Sequence, residues 1–68
     1  IMAYKTLPAI DTDKYPTRRG LEGPFRFASG KILYYDPIEG SYYDSTTDMY
    51  VSNEDMEYNL YPNKNRNG

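Results

Sequence analysis

The chain contains no cysteine, no histidine and no tryptophan. Without thiols it can form no disulfide and no thiolate nucleophile; without imidazole it has neither the commonest general base nor a Cys/His zinc site. No apolar run approaches the roughly 20 residues of a membrane span, and no signal-peptide-like core follows the N-terminus. A glycine-rich phosphate loop, a nucleophile elbow and a helical zinc motif are missing as well. Carboxylate pairs exist, but any polar chain offers such pairs. These gaps predict a soluble, cytoplasmic, non-enzymatic protein with no cofactor and no membrane partner.

What remains is small and aromatic. At 68 residues the chain makes one small domain, and a chain of this size buries only about 60% of its unfolded surface. The mean hydropathy of −0.89 is polar. Nine tyrosines and two phenylalanines nevertheless bring the aromatic content to 16%, which argues for a folded chain over a disordered one.

Charge is segregated along the chain although the net charge is only −2. Residues 1–31 carry Lys5, Lys14, Arg18, Arg19, Arg26 and Lys31 against Asp11, Asp13 and Glu22, a balance of +3. Residues 32–63 carry Asp36, Glu39, Asp44, Asp48, Glu54, Asp55 and Glu57 with no basic residue, a balance of −7. Opposite fields favour docking, so the basic arm is expected along the acidic half or along a second copy, with Arg18, Arg19 and Arg26 as its electrostatic contacts. The alternative is nucleic-acid contact through Arg18, Arg19, Arg26 and Lys31. It is disfavoured by the acidic body, which repels phosphates, and by Phe25-Arg26-Phe27 being the one place where aromatic and basic residues interleave.

Residues 1–23 contain Pro8, Pro16, Gly20 and Gly23 and read as an extended arm, with Leu7, Ile10, Tyr15 and Leu21 as its apolar contacts. From residue 24 four short aromatic and branched runs follow, Phe25–Ala28, Lys31–Tyr35, Ser41–Tyr43 and Met49–Val51, each separated by turn formers. Ser29-Gly30 suits a two-residue hairpin turn. Pro37-Ile38-Glu39-Gly40 suits a four-residue loop with a left-handed last residue, and Asp48 stands at the equivalent place after Ser45-Thr46-Thr47. Ser52, with Glu54 and Asp55 behind it, starts a short helix over about 53–60, where Met56, Leu60 and at its end Tyr61 fall at helical spacing and Pro62 ends the run. Residues 63–68 read as a flexible tail.

The strongest internal signal has a period of eight: Tyr34-Tyr35-Asp36, Tyr42-Tyr43-Asp44 and, degraded, Tyr50-Val51-Ser52. A four-residue strand plus a four-residue turn, repeated, is an antiparallel meander. The predicted register pairs Phe27 with Ile32, Phe25 with Tyr34, Tyr35 with Tyr42, Tyr34 with Tyr43, Tyr43 with Tyr50 and Tyr42 with Val51. One face then collects Phe25, Phe27, Ile32, Tyr34, Tyr43 and Tyr50; the other collects Arg26, Leu33, Tyr35, Tyr42, Met49 and Val51. Both are apolar, whereas a lone antiparallel sheet normally wets one. The helix is expected over one face and the arm over part of the other, and any uncovered tyrosine patch is a binding or oligomer surface.

The Tyr34-Tyr35-Asp36-Pro37-Ile38-Glu39-Gly40-Ser41-Tyr42-Tyr43-Asp44-Ser45-Thr46-Thr47 stretch resembles the octamer-repeat (OCRE) domain of eukaryotic RNA-processing factors, over about residues 31–51. That resemblance implies an aromatic-studded β meander that binds proline-rich peptide tails, with Tyr35, Tyr42 and Tyr43 at the matching motif positions. A looser likeness, from Lys14-Tyr15-Pro16-Thr17-Arg18-Arg19-Gly20 through Gly23-Pro24-Phe25 and the Tyr-Tyr-Asp units, is to small proteins encoded by marine cyanophages, a family with no assigned activity; it implies a phage source, with the host cytoplasm or the virion as the location.

The expectation is therefore a small mainly-β domain at 24–62, a three- to four-stranded antiparallel meander with one short C-terminal helix, behind an extended N-terminal arm at 1–23. Its function is expected to be protein interaction or self-assembly through Tyr35, Tyr42, Tyr43, Leu33 and Val51, with a homo-oligomer or a proline-rich or other peptide as partner. A Ca²⁺ site at Asp36, Glu39, Asp44 and Asp48 is set aside, because Asp44–Asp48 lacks the glycine and distal glutamate of an EF-hand loop and turn aspartates have local hydrogen-bonding roles.

Overall fold

The computed structural model describes residues 9–62; the expectations for Lys5, Leu7, Pro8 and the 63–68 tail fall outside them. Four strands, β1 (Glu22–Arg26), β2 (Ile32–Asp36), β3 (Ser41–Asp44) and β4 (Met49–Tyr50), form one antiparallel sheet in sequential order, followed by a helix α1 (Asn53–Leu60). This is the small mainly-β meander with a C-terminal helix that the sequence predicts. No helix among the described residues is long and apolar enough to cross a membrane.

The eight-residue repeat is visible as two equivalent turns. In the first, Asp36 closes β2 and its Oδ1 accepts hydrogen bonds from the backbone of Ile38 (3.0 Å) and Glu39 (3.2 Å). In the second, Asp44 Oδ1 accepts from the backbone and hydroxyl of Thr46 (2.9 and 2.5 Å). Each turn closes with a backbone bond from its fourth residue to the aspartate carbonyl, Gly40 to Asp36 (2.7 Å) and Asp48 to Asp44 (2.8 Å). Those closing residues are left-handed, with φ +68° at Gly40 and +60° at Asp48. Asp is among the few non-glycine residues that visit this region with any frequency, which is why Asp48 can stand where Gly40 does. The strand-terminal aspartate thus caps the turn, and the register follows as predicted: Tyr34 opposite Tyr43, Tyr35 opposite Tyr42, and Tyr43 opposite Tyr50.

The β1–β2 register departs from expectation by one residue. Arg26, not Phe27, lies opposite Ile32, and Phe25 lies opposite Leu33. The loop between them has three residues, Ala28–Gly30, closed by bonds from Phe27 N to Lys31 O (2.9 Å) and from Gly30 N to Phe27 O (2.8 Å), with Gly30 at φ +94°. A three-residue hairpin loop ending in a left-handed residue is the next commonest solution after the two-residue one. Because side chains alternate, the extra residue moves Phe25 and Phe27 to the side of Leu33, Tyr35 and Tyr42, and moves Arg26 to the side of Tyr34. The Phe27 and Tyr42 rings meet edge-on at 5.2 Å as a result. β1 also starts earlier than predicted, at Glu22, and its pairing is irregular between Glu22 and Phe25, where the Gly23–Pro24 peptide is cis. Pro24 is tolerated because β1 is an edge strand, where a missing N–H breaks no ladder.

The core wraps the second strand: Ile32, Leu33 and Tyr34 are buried, the last two completely. Ile32 and Tyr34 point to one side, the arm face; Leu33 points to the other, the helix face. On the arm face, residues 9–21 turn at Asp11, whose Oδ1 accepts from Asp13 N (2.9 Å), and then run without regular secondary structure past the sheet to a second turn at Arg19–Gly20. Tyr34 donates its hydroxyl to the Pro16 carbonyl at 2.7 Å. The Arg18 guanidinium lies over the Tyr34 and Tyr43 rings, 5.3 and 6.0 Å from their centroids. The arm's contacts with the sheet include the cation–π contact of Arg18 and the hydrogen bond at Pro16; of its predicted apolar residues, Ile10, Tyr15 and Leu21 are half-buried.

Helix α1 begins as predicted, with Ser52 Oγ accepting from Asp55 N (3.1 Å) at the N-cap and Glu54 and Asp55 in the first turn. Its anchor is Asn59, which is buried, whereas the predicted Leu60 is exposed. Asn59 binds the β1–β2 turn twice, accepting Ser29 Oγ on its side chain (2.6 Å) and Ser29 N on its carbonyl (3.0 Å). This polar clasp across 30 residues ties the helix to the β1–β2 turn.

Candidate functional site

The two tyrosine ladders have different fates. On the arm face every hydroxyl is engaged: Tyr34 by Pro16, Tyr43 by Asp48 Oδ1 (2.5 Å) and Tyr50 by Asp36 Oδ2 (2.6 Å). The carboxylate acceptors hold the phenols in their neutral donor form, so the Tyr43 pKa is raised and that of Tyr50 is pushed up to about 12. Reciprocally, the Tyr50 hydroxyl, followed by the Glu39 backbone N–H, lowers the Asp36 pKa.

On the helix face, Tyr35 and Tyr42 stack tilted at 5.0 Å between centroids, with Phe27 edge-on to Tyr42 and Phe25 at the β1 edge. Each such ring pair contributes about 0.5–1.5 kcal/mol beyond its area. Phe25 is 43% exposed, Tyr35, Tyr42, Phe27 and Val51 are half-buried, and the Tyr35 and Tyr42 hydroxyls make no hydrogen bond among the described residues. Val51 continues this face, its N–H donating to the Tyr42 carbonyl at 2.9 Å. Beyond it an open cleft of about 380 Å³ separates the sheet from α1, lined by Lys31, Asp44, Met49, Val51, Tyr58 and Asn59 among others.

The five residues predicted to bind protein are thus not one surface. Tyr35, Tyr42 and Val51 share the helix face. Tyr43 lies on the opposite face, tied to Asp48 and covered by Arg18. Leu33 shares a side with Tyr35 but is fully buried, and therefore belongs to the core rather than to any contact surface. Sequence reading missed Phe25 and Phe27 as members of this face, because the one-residue register shift hid them; the left-handed preference of Gly30 at the end of a three-residue loop was the available signal.

The charged candidates also separate. Arg18 is committed to the tyrosine rings and Arg19 is exposed in the turn that leads to β1. Arg26 is half-buried on the arm side. Lys31 reaches Asp44 Oδ2 at 3.0 Å. Asp44 is 4% exposed. Burial pushes its pKa up, but the hydrogen bonds from Thr46 and Lys31 outweigh that and leave it lowered. The aspartates once weighed as Ca²⁺ ligands are engaged in turn caps and phenol hydrogen bonds, and among the described residues no three carboxylates converge on a point that could hold a metal.

No protein-family model, curated protein or solved structure matches this chain.

The Tyr50–Asp36 bond spans β2 to β4 across β3 and yields a testable alkaline limb. A phenol whose folded pKa lies above its unfolded value of about 10 contributes stability that is full below pH 10 and is lost as pH rises toward 12. Tyr50→Phe should therefore lower the urea midpoint at pH 7 and make it less sensitive to pH between 10 and 12 than that of the parent chain. An unchanged pH profile would remove Tyr50 as its source.

Proposed function

We propose that this chain is a non-enzymatic protein-interaction module whose helix face, formed by Phe25, Phe27, Tyr35, Tyr42 and Val51, binds an extended peptide of another protein. The observation that carries this reading is the asymmetry between the ladders' hydroxyls: those of the arm face are all engaged within the chain, whereas those of Tyr35 and Tyr42 make no hydrogen bond among the described residues. Tyrosine supplies large, stiff, amphipathic contact area, and contiguous exposed aromatic surface marks interaction sites. The Tyr-Tyr-Asp resemblance supports a proline-rich peptide as the ligand class, since such peptides dock on aromatic-lined surfaces with little ordering cost. Self-association through the same face is a form of the same activity. Its place of action under this reading is the cytoplasm, in a host cell or virion if the chain is phage-encoded, as the looser sequence likeness implies. Nucleic-acid contact is the weaker reading: Arg18 and Lys31 are engaged within the chain and the 32–63 half is uniformly acidic.

The test combines sedimentation over a hundredfold concentration range with a titration of capped decaproline followed by amide chemical shifts. Binding or self-association should perturb Tyr35, Tyr42 and Val51, and Tyr35→Ala or Tyr42→Ala should each weaken it by about fivefold or more, as expected for aromatic anchors. A strict monomer that leaves those amides unmoved would refute the reading.

A further inference from the structure

The arm face displays, within one chain, how a tyrosine pair of this repeat holds a non-helical segment. Tyr34 and Tyr43 are directly opposite each other on β2 and β3. Over them runs the Tyr15-Pro16-Thr17-Arg18 stretch, whose Pro16 carbonyl accepts the Tyr34 hydroxyl at 2.7 Å and whose Arg18 guanidinium spans both rings at 5.3 and 6.0 Å. The next cross-strand pair, Tyr35 with Tyr42, is set in the same two strands one residue on, and so faces the other way. It offers two rings 5.0 Å apart and hydroxyls that make no hydrogen bond among the described residues. Glu22 lies opposite Tyr35 across β1–β2, which places an exposed carboxylate residue at the rim of this pair.

We propose that the Tyr35–Tyr42 pair is an arginine-reading site, which takes the guanidinium of an extended segment of a partner protein in the manner that Tyr34 and Tyr43 take Arg18. This rests on the helix face being the binding face and adds what the ligand must carry. Three features favour a guanidinium. It is planar and weakly hydrated, so it stacks on rings at less desolvation cost than an ammonium. Glu22 supplies a counter-charge, within a chain whose 32–63 half is at −7. A tyrosine hydroxyl beside the rings, without a hydrogen bond among the described residues, repeats the donor that Pro16 uses. The chain's own Arg18 is held on the opposite face, behind the Arg19–Gly20 turn closed by the Leu21 N to Arg18 O bond (3.1 Å), so it is not the arginine this pair takes.

The probe is a capped synthetic peptide with the sequence of residues 14–18, Lys-Tyr-Pro-Thr-Arg, added to the intact chain and followed by amide and tyrosine-ring chemical shifts. The expected result is a saturable shift at Tyr35 and Tyr42, with affinity about tenfold weaker when the peptide's arginine is replaced by alanine and partly retained with lysine. On the protein side Tyr35→Phe and Tyr42→Phe keep the rings and the fold; each should cost only the few-fold effect of a lost hydroxyl, while Glu22→Gln should weaken binding and flatten its salt dependence. The proposal is overturned by no binding, by an alanine peptide that binds equally, or by shifts confined to Tyr34 and Tyr43, which would mean that the peptide displaces the arm. Decaproline separates the two readings. If it perturbs Tyr35 and Tyr42 while the arginine is dispensable, the interaction face stands and its arginine preference falls.

Discussion

Leu33→Ala should take away most of the stability of this domain. A folded chain of 68 residues has about 3–10 kcal/mol in total at typical per-residue values. Truncating a fully buried leucine costs about 2–5 kcal/mol, as lost transfer energy plus the cavity left behind. Leu33 has no exposed surface, and among the described residues it is the one completely buried aliphatic side chain, in a core whose other completely buried member is Tyr34. The thin sheet offers few neighbours that could collapse into the gap. We expect the variant to be largely unfolded at 37 °C by circular dichroism, while Leu33→Met, which conserves volume, loses under about 1.5 kcal/mol. The same pair of variants decides between core and contact surface. A Leu33→Ala chain that kept its urea midpoint but lost peptide affinity would return Leu33 to the binding face.

The extent to which this architecture can be read from sequence varies along the chain, and for local reasons. The β2–β3 and β3–β4 registers are legible because the aspartates, the left-handed positions at 40 and 48 and the tyrosine doublets repeat together, so turn length and strand length cross-check each other. The β1–β2 register has no such check. Ser29-Gly30 satisfies a two-residue turn on composition alone, and the three-residue alternative differs only in where Gly30 falls in the loop. One residue in that choice exchanges Arg26 with Phe25 and Phe27 between faces. The helix boundaries are legible from Ser52 and Pro62, but the anchor is not. Periodicity selects Leu60, while the structure buries Asn59, whose partner Ser29 lies thirty residues away and leaves no trace in local pattern.

The binding face is legible in part for a related reason. Tyr35, Tyr42 and Val51 follow from the repeat, but nothing in a tyrosine's position along the chain states whether its hydroxyl is already engaged. Asp36, Asp48 and Pro16 satisfy the arm-face hydroxyls from turns and from the arm, and those contacts depend on the third dimension. The charge segregation likewise announces attraction between the two halves. It does not announce that Arg18 would settle on aromatic rings instead of carboxylates.

The second large effect is expected at Asp44, and it comes with a pH signature. Asp36 and Asp44 cap equivalent turns, yet their second oxygens differ in fate: that of Asp36 meets a phenol, and that of Asp44, 4% exposed, meets the Lys31 ammonium. Asp44→Ala removes a charge-assisted bond and the Thr46 cap together, for a loss of about 2–3 kcal/mol. Lys31→Ala leaves the Thr46 bonds but strands a buried carboxylate; because Lys31 itself is half-exposed, its charge can return to water when Asp44 is the residue removed. Both aspartates have folded pKa values below the unfolded value of about 3.9. Each therefore contributes stability that is complete above roughly pH 5 and is lost as pH falls through 4 and below. Asp44→Asn keeps the Oδ1 acceptor for Thr46 and discards the titrating charge. Its urea midpoint should be lower than that of the parent chain at pH 7 and close to it at pH 2.5, since in acid both chains carry a neutral group there. If the parent chain and Asp44→Asn lost stability in parallel between pH 5 and 2.5, the acid limb would belong to Asp36 and the exposed carboxylates, and the Lys31–Asp44 pair would be a minor contributor despite its burial.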